Sequence, residues 1–335
     1  MVEGIPYSQS RKSARALWAE EARVARIRAA PIRAPGPDEA LVATLWSGIS
    51  RGTERLVFEG RVPPSEYDRM RAPMQEGDFP FPVKYGYCAV GQVEEGPADW
   101  LGKIVFCLHP HQDRFVAPTA MLRPVPASTP ARRATLAANM ETALNAIWDS
   151  GAGPGDRIIV IGAGVLGLLI SAVAARLPGA EVSVVDVEPS REGIASRLGA
   201  TFISPNHLRD SKIQADVVFH TSASAQGLAL ALESAGLEAA VVEVSWFGAA
   251  APAIPLGAAF HANRLRLLSS QVGQVSPSRR PRWSYARRLD KALELLADPR
   301  FDDLLSREIA FEDLPQELPS ILAPDAKGLG AVVRY

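Results

Sequence analysis

The chain has 335 residues, 47% hydrophobic and 22% charged, with 36 basic against 37 acidic side chains and a formal net charge of −1. That size and balance suit a globular protein of two domains, or one large one, and exclude bulk attraction to nucleic acid or an anionic membrane. Two cysteines, Cys88 and Cys107, exclude a disulfide scaffold and a four-thiolate zinc centre, and they fit a reducing, cytoplasmic compartment. The N-terminal stretch through Trp18 holds no apolar core of signal-peptide length.

Over roughly the first 125 residues, short apolar runs at 40–45, 90–94 and 104–108 alternate with turns, and proline recurs every few residues. This pattern predicts short strands and loops in a β-rich domain. Residues 132–150 predict one helix, with Leu136, Met140, Leu144, Ile147 and Trp148 at helical spacing, ended by Gly-Ala-Gly-Pro-Gly-Asp at 151–156. Beyond it, buried-strand candidates at 158–161, 182–185, 217–219 and 241–244 alternate with helix candidates at 165–176, 190–198 and 225–235. Alternation of that kind predicts a parallel sheet covered on both faces. Residues 158–175 form 18 consecutive positions without a charge, the length of a marginal membrane span, but the glycines among them argue for strand, turn and helix. Residues 283–297 predict an amphipathic helix, a polar, proline-punctuated stretch follows, and 330–335 predict a last short strand.

The strongest local signal is Gly162-Ala-Gly-Val-Leu-Gly167, between the 158–161 strand and the next helix. Gly162 permits a tight turn, Gly164 lets a pyrophosphate approach the backbone, and Gly167 permits close helix–sheet packing. The first helical amides, those of Val165, Leu166 and Gly167, supply donors and the positive end of the helix dipole. The following strand ends in Asp186, 19 residues beyond Gly167, where the adenosine ribose of a dinucleotide is read. A carboxylate there favours NAD over NADP by repelling a 2′-phosphate. Arg191, five residues on, either softens that preference beside the ribose or is simply solvated, so NADP stays open.

In its order of parts the chain resembles the medium-chain dehydrogenase/reductase superfamily. The resemblance rests on Ser47-Gly-Ile-Ser-Arg-Gly-Thr-Glu54, Gly86-Tyr-Cys-Ala-Val-Gly91, Gly155-Asp-Arg157, the glycine turn and Leu198-Gly-Ala200. It implies an α/β fold: a GroES-like β-rich catalytic domain at 1–138, a Rossmann doubly wound coenzyme domain at 139–273, and a return segment at 274–335 packing on the catalytic domain. It further implies an active site between the domains and a homodimer joined through the sheet edge from Leu265 to Val272. It matches Thr142 to a threonine at the nicotinamide face and puts Ser222 on the adenosine side.

The zinc-dependent alcohol dehydrogenases of this superfamily use Cys, His and Cys as catalytic ligands. The matching positions read Ser50, Tyr87 and the cysteine-free region of Ala138 and Asn139, so no catalytic zinc is expected. A rival metal set drawn from Glu54, Cys107, His109 and His111 depends on the two histidines pointing the same way from a strand, and it lacks a third strong ligand.

Without a Lewis acid, hydride transfer needs hydrogen-bond donors or an already electrophilic substrate. Tyr87 donates to a substrate oxygen or relays a proton, or else fills the vacated metal space. Ser50 and Thr53 are small donors or turn caps, and Glu54 is a general base or an ordinary helix N-terminal acid. Asn139 and Glu141 meet nicotinamide or substrate, unless the asparagine caps its helix. His111 is a proton shuttle if its loop folds over the cleft. The basic, aromatic-interleaved run from Arg279 to Arg288 reads as a nucleic-acid or anionic-substrate clamp, or as a solvated helix start with Trp283 tucked inward; the neutral chain favours the last. The whole predicts a zinc-independent NAD(P)-dependent oxidoreductase acting on a small carbonyl, enone or secondary alcohol, with no nucleic-acid or membrane partner. The alternative is a non-catalytic dinucleotide-binding scaffold or sensor on the same fold.

Overall fold

A computed structural model describes residues 13–335 and divides the chain into two compact units, Met1–Ala137 with Leu305–Tyr335, and Ala138–Leu304. The reading of the leader falls largely on residues 1–12, outside the described residues.

In the first unit, a seven-stranded sheet runs in the order Leu305–Ala310, Gly330–Arg334, Glu39–Ile49, Ala89–Glu95, Ile104–Cys107 and Arg123–Pro124, with Arg114–Pro118 paired to Glu39–Ile49. A smaller sheet orders Val24–Pro31, Ser13–Glu21, Val83–Lys84 and Glu76–Gly77. One core cluster gathers Val42, Ala89, Val105, Phe115 and Leu122, and a second gathers Ile49, Phe58, Phe311, Leu318 and Val333.

The proline-punctuated stretch after residue 304 is a strand–helix–strand unit. Leu305–Ala310 pairs in parallel with Gly330–Arg334, and the connecting helix Leu314–Leu322 buries Leu314, Leu318, Ile321 and Leu322. Pro315 occupies the first turn, where no amide donor is needed, whereas Pro319 removes one interior bond. Two prolines in nine residues hid this helix from its sequence pattern.

The single helix expected over 132–150 is broken. Ala131–Ala134 and Ala137–Ser150 are separate helices. Between them the Thr135 hydroxyl donates to Arg132 O at 2.7 Å and Leu136 N–H donates to Arg133 O at 3.0 Å, closing the turn early.

In the second unit, six parallel strands run in the order Thr201–Ile203, Glu181–Val185, Arg157–Ile161, Ala215–His220, Ala235–Glu243 and Arg266–Ser269. Counted along the chain this is 3-2-1-4-5-6, so the order reverses between Arg157–Ile161 and Ala215–His220. Ile158, Ile159 and Val160 are fully buried, as a strand covered on both faces requires. The 158–175 stretch divides into strand, turn and the ten-residue helix Val165–Ala174. Among the described residues no helix is long and apolar enough to cross a membrane. The sheet edge is Arg266–Ser269, shorter than the segment from Leu265 to Val272 expected from sequence.

Residues 274–304 pack within this second unit, and the return to the first begins at Leu305. The anchor is Arg288, 2% exposed, on the helix Tyr285–Leu295. Its Nε donates to Glu141 Oε1 at 2.9 Å, Nη1 to Asn145 Oδ1 at 2.6 Å and Nη2 to Val272 O at 2.6 Å. The basic run is therefore not a solvated face throughout: Arg288 enters the core, and Trp283 packs on Trp148 with ring centres 4.7 Å apart. Glu141 meets this arginine instead of a ligand. Burial raises its carboxyl above the usual range against the opposing pull of Arg288. Arg288→Ala, which strands that acid, is expected to destabilise the protein by about 3–5 kcal/mol in urea unfolding, and the Arg288→Met/Glu141→Leu pair to recover most of the loss. A single-variant loss below about 1 kcal/mol would remove Arg288 as the anchor.

Candidate active site

The sequence-predicted residues divide between the two units, and in each unit some of them are joined by hydrogen bonds. In the first, the strand Glu39–Ile49 runs into the helix Arg51–Phe58, and the Ser50 amide donates back to Glu54 Oε1 at 2.7 Å. The other Glu54 oxygen lies 3.0 Å from His111 Nε2, and His111 Nδ1 lies 2.7 Å from Ser47 Oγ. Ser47 Oγ in turn meets the Tyr335 hydroxyl at 2.9 Å. Ser47, Glu54 and His111 are all buried. A cavity of about 30 Å³ touches Glu54, Tyr85 and His111.

Ser50, Thr53 and Tyr87 are all half-buried, with the Ser50 and Thr53 hydroxyls near the Tyr87 phenol. Burial above all, then the nearby Cys88 and Glu54, pushes the Tyr87 phenol well above its ordinary range. Its proton therefore stays on, and Tyr87 is equipped to donate a hydrogen bond, not to act as a base.

The two histidines of the His-x-His pair do not converge. Chain leaves the strand at Cys107, and His109 stacks on Phe115 with ring centres 3.8 Å apart while its Nδ1 meets Pro110 O at 2.9 Å. Burial depresses His109 to about 3, which keeps it neutral, and raises Cys107 to about 12. The rival metal set thus falls apart, and among the described residues no three His, Cys, Asp or Glu side chains group around a common point. At the positions of the superfamily's zinc ligands, Ser50 and Tyr87 offer neutral hydroxyls, a set that does not suit zinc. Ser47 and Tyr335 were missed from sequence. Ser47 lies inside the quoted motif, but Tyr335 arrives only because Val333 pairs with Ser47 across the sheet.

In the second unit, the glycine turn follows the Arg157–Ile161 strand. Gly162 has φ +110°, and a side chain at Gly167 would stand 1.9 Å from Gly162 O. A Cβ at Gly164 would meet nothing within 4 Å. The first intrahelical bond runs from Leu168 N–H to Gly164 O at 2.9 Å, so the amides of Val165, Leu166 and Gly167 have no acceptor within the helix. Asp186 braces the turn: Oδ2 accepts from Ala163 N–H at 2.6 Å and Oδ1 from Glu188 N–H at 2.9 Å. Each oxygen keeps a lone pair for an incoming hydroxyl. Arg191 is half-buried where the helix Glu192–Arg197 begins. Ser222 is exposed just beyond the Ala215–His220 strand, beside the turn. On the helix Ala137–Ser150, the Thr142 hydroxyl donates to Ala138 O at 2.9 Å, and Asn139 sits half-buried inside the first turn instead of capping it. An open backbone bend with unpaired amides at a sheet's switch point fits the pyrophosphate of a dinucleotide.

No protein-family profile matches the chain. It is 26% identical over 206 residues to D-guloside 3-dehydrogenase of Escherichia coli, a match covering 58% of this chain and 59% of that relative. The chain therefore spans less than two thirds of that relative's length. The structure of L-idonate 5-dehydrogenase from Escherichia coli superposes with a TM-score of 0.79 at 18% identity, over 96% of this chain and 98% of the other. A protein described as a zinc-binding dehydrogenase, from Sinorhizobium meliloti and solved with NADP, superposes with a TM-score of 0.78 at 18% identity, over 96% and 99%. The fold is that of the medium-chain dehydrogenases and reductases, and the chain's relatives and structural neighbours are named dehydrogenases.

The two inner glycines separate packing from ligand approach. Gly167→Ala is expected to lower stability by about 1–3 kcal/mol, because its Cβ meets backbone. Gly164→Ala is expected to change stability by less than about 1 kcal/mol in the same thermal unfolding measurement.

Proposed function

We propose that the protein is a zinc-independent, NAD(P)-dependent oxidoreductase that moves hydride between a nicotinamide and a secondary alcohol, or its carbonyl counterpart, on a small polyhydroxylated molecule. The observation that carries this reading is the open side of Gly164 at the switch point of the parallel sheet, above the unpaired amides of Val165, Leu166 and Gly167. The names of the guloside and idonate dehydrogenases support the polyhydroxylated class.

Bound there, the dinucleotide would accept or supply the hydride. The Val165–Gly167 amides hold its pyrophosphate and Asp186 accepts from its ribose, which favours NAD; Thr142, Arg191 and Ser222 complete the contacts. In the first unit, Tyr87 donates to the substrate oxygen, with Ser50 and Thr53 as small donors near the phenol. Glu54 and His111, paired beneath that hydroxyl layer, take up the proton that an alcohol releases. Asn139 orients the substrate or nicotinamide. Zinc independence follows from the hydroxyl donors at Ser50 and Tyr87. The compartment is the cytoplasm, and the exposed edge strand Arg266–Ser269 joins two copies.

The deciding measurement is calorimetric titration of metal-analysed protein with NADH and then NADPH. Tight binding, NADH ahead of NADPH, is expected, with Gly164→Ala weakening it about tenfold or more through loss of backbone approach. Binding of neither nucleotide overturns the reading. Binding without turnover across polyols, sugar acids and carbonyls would make the protein a dinucleotide-binding scaffold. Tyr87→Phe is expected to lower kcat by about 10²–10³, the loss of one oriented donor. Full activity in that variant would remove Tyr87 from the chemistry.

A further inference from the structure

The turn after the Ala215–His220 strand holds three side chains in hydrogen-bonded sequence. Ser222 Oγ lies 2.8 Å from His220 Nε2, and His220 Nδ1 lies 2.6 Å from Glu243 Oε2. The carboxylate can only accept, so the proton sits on Nδ1 and Nε2 is left to accept from the Ser222 hydroxyl. The other Glu243 oxygen is held by Ser245 N–H at 2.7 Å, and the imidazole is fully buried with Phe247 stacked against it. The serine itself is exposed. Nucleophile, base and orienting acid thus stand in the order and at the distances that activate a serine, a constellation recognised by geometry and not by sequence position.

The surrounding backbone is shaped for the same purpose. Ser222 stands on a sharp strand-to-helix bend, with Ala223 in the left-handed region at φ 52°. Gly227, in the first turn of the helix Ala225–Ser234, has no side chain where a Cβ would come within 2.3 Å of Ser222 Oγ and 2.9 Å of His220 Nε2. The first intrahelical bond here is Leu228 N–H to Ser224 O, and Gly227 N–H donates to the Ser224 hydroxyl. The amides of Ala225 and Gln226, three and four residues beyond the serine, are left without an acceptor in the helix, and the proposal assigns them to a developing oxyanion.

We propose that Ser222, His220 and Glu243 form an acyl-transfer site that cleaves small activated carboxylic esters, a second activity on the face assigned to the dinucleotide and open when no dinucleotide covers Ser222. Ser222 Oγ attacks the ester carbonyl carbon as its proton passes to His220 Nε2. The ester C–O bond breaks, and the departing alcohol takes that proton. Water, deprotonated by the same nitrogen, then releases the carboxylic acid and restores the serine. No oxidant or reductant enters.

The test uses the intact wild-type protein with a fluorophosphonate probe, read by peptide mass spectrometry, and with p-nitrophenyl acetate, read as nitrophenol release. One equivalent of phosphonate on Ser222 and a pre-steady-state burst are expected. Labelling should fall about tenfold or more in Glu243→Gln and vanish in His220→Gln, each checked for folding by its thermal transition. Wild-type protein unlabelled at Ser222, or folded His220→Gln labelled at the wild-type rate, overturns the proposal. The wild-type result decides alone should either variant fail to fold.

Discussion

The parallel-sheet unit depends on one approach of backbone to backbone. Gly167 lies so close to the Gly162 carbonyl that no side chain fits between the end of the first strand and the helix that follows. That contact sets the helix start directly above the strand end and leaves its first amides pointing outward. Thr221, arriving from the neighbouring strand, donates its hydroxyl to Gly162 O at 3.0 Å and so locks the fourth strand to the turn. The reversal of strand order, the open face at Gly164 and the Ser222 bend all meet at this junction.

The first unit solves a different problem, the burial of ionisable groups. Glu54 and His111 lose most of their water, and each is compensated by two partners: Ser50 N–H and His111 for the acid, Glu54 and Ser47 for the imidazole. Neutral hydroxyls at Ser50, Thr53 and Tyr87 form the half-buried layer outside that pair. Desolvation keeps the Tyr87 phenol protonated, so these side chains offer donors. Arg288 and Glu141 solve the same problem in the second unit, with the arginine's remaining donors spent on Asn145 and the Val272 carbonyl.

Much of the fold could be read from local pattern. The 158–161, 182–185 and 217–219 runs are apolar because both faces of a central parallel strand are covered, and that needs no knowledge of neighbours. The glycine turn is legible for a related reason, since its three glycines fall within six residues directly between a strand and a helix. Elements whose stability comes from distant partners were harder to read. The Leu314–Leu322 helix carries two prolines and forms because its apolar face meets Phe311 and Ile49. The 132–150 helix breaks where Thr135 finds a local acceptor, a competition that periodicity does not register.

The candidate sites divide in the same way. By itself the sequence determined which residues stand at the turn and at the superfamily's ligand positions, because those are matters of spacing along one chain. Only the tertiary structure decided which polar groups give up water and to whom: Ser47 and Tyr335 joined to His111, His109 diverted onto Phe115, Arg288 driven inward to Glu141, His220 set between Ser222 and Glu243. Most of these pairings join residues tens to hundreds of positions apart, and only the folded chain brings them into contact.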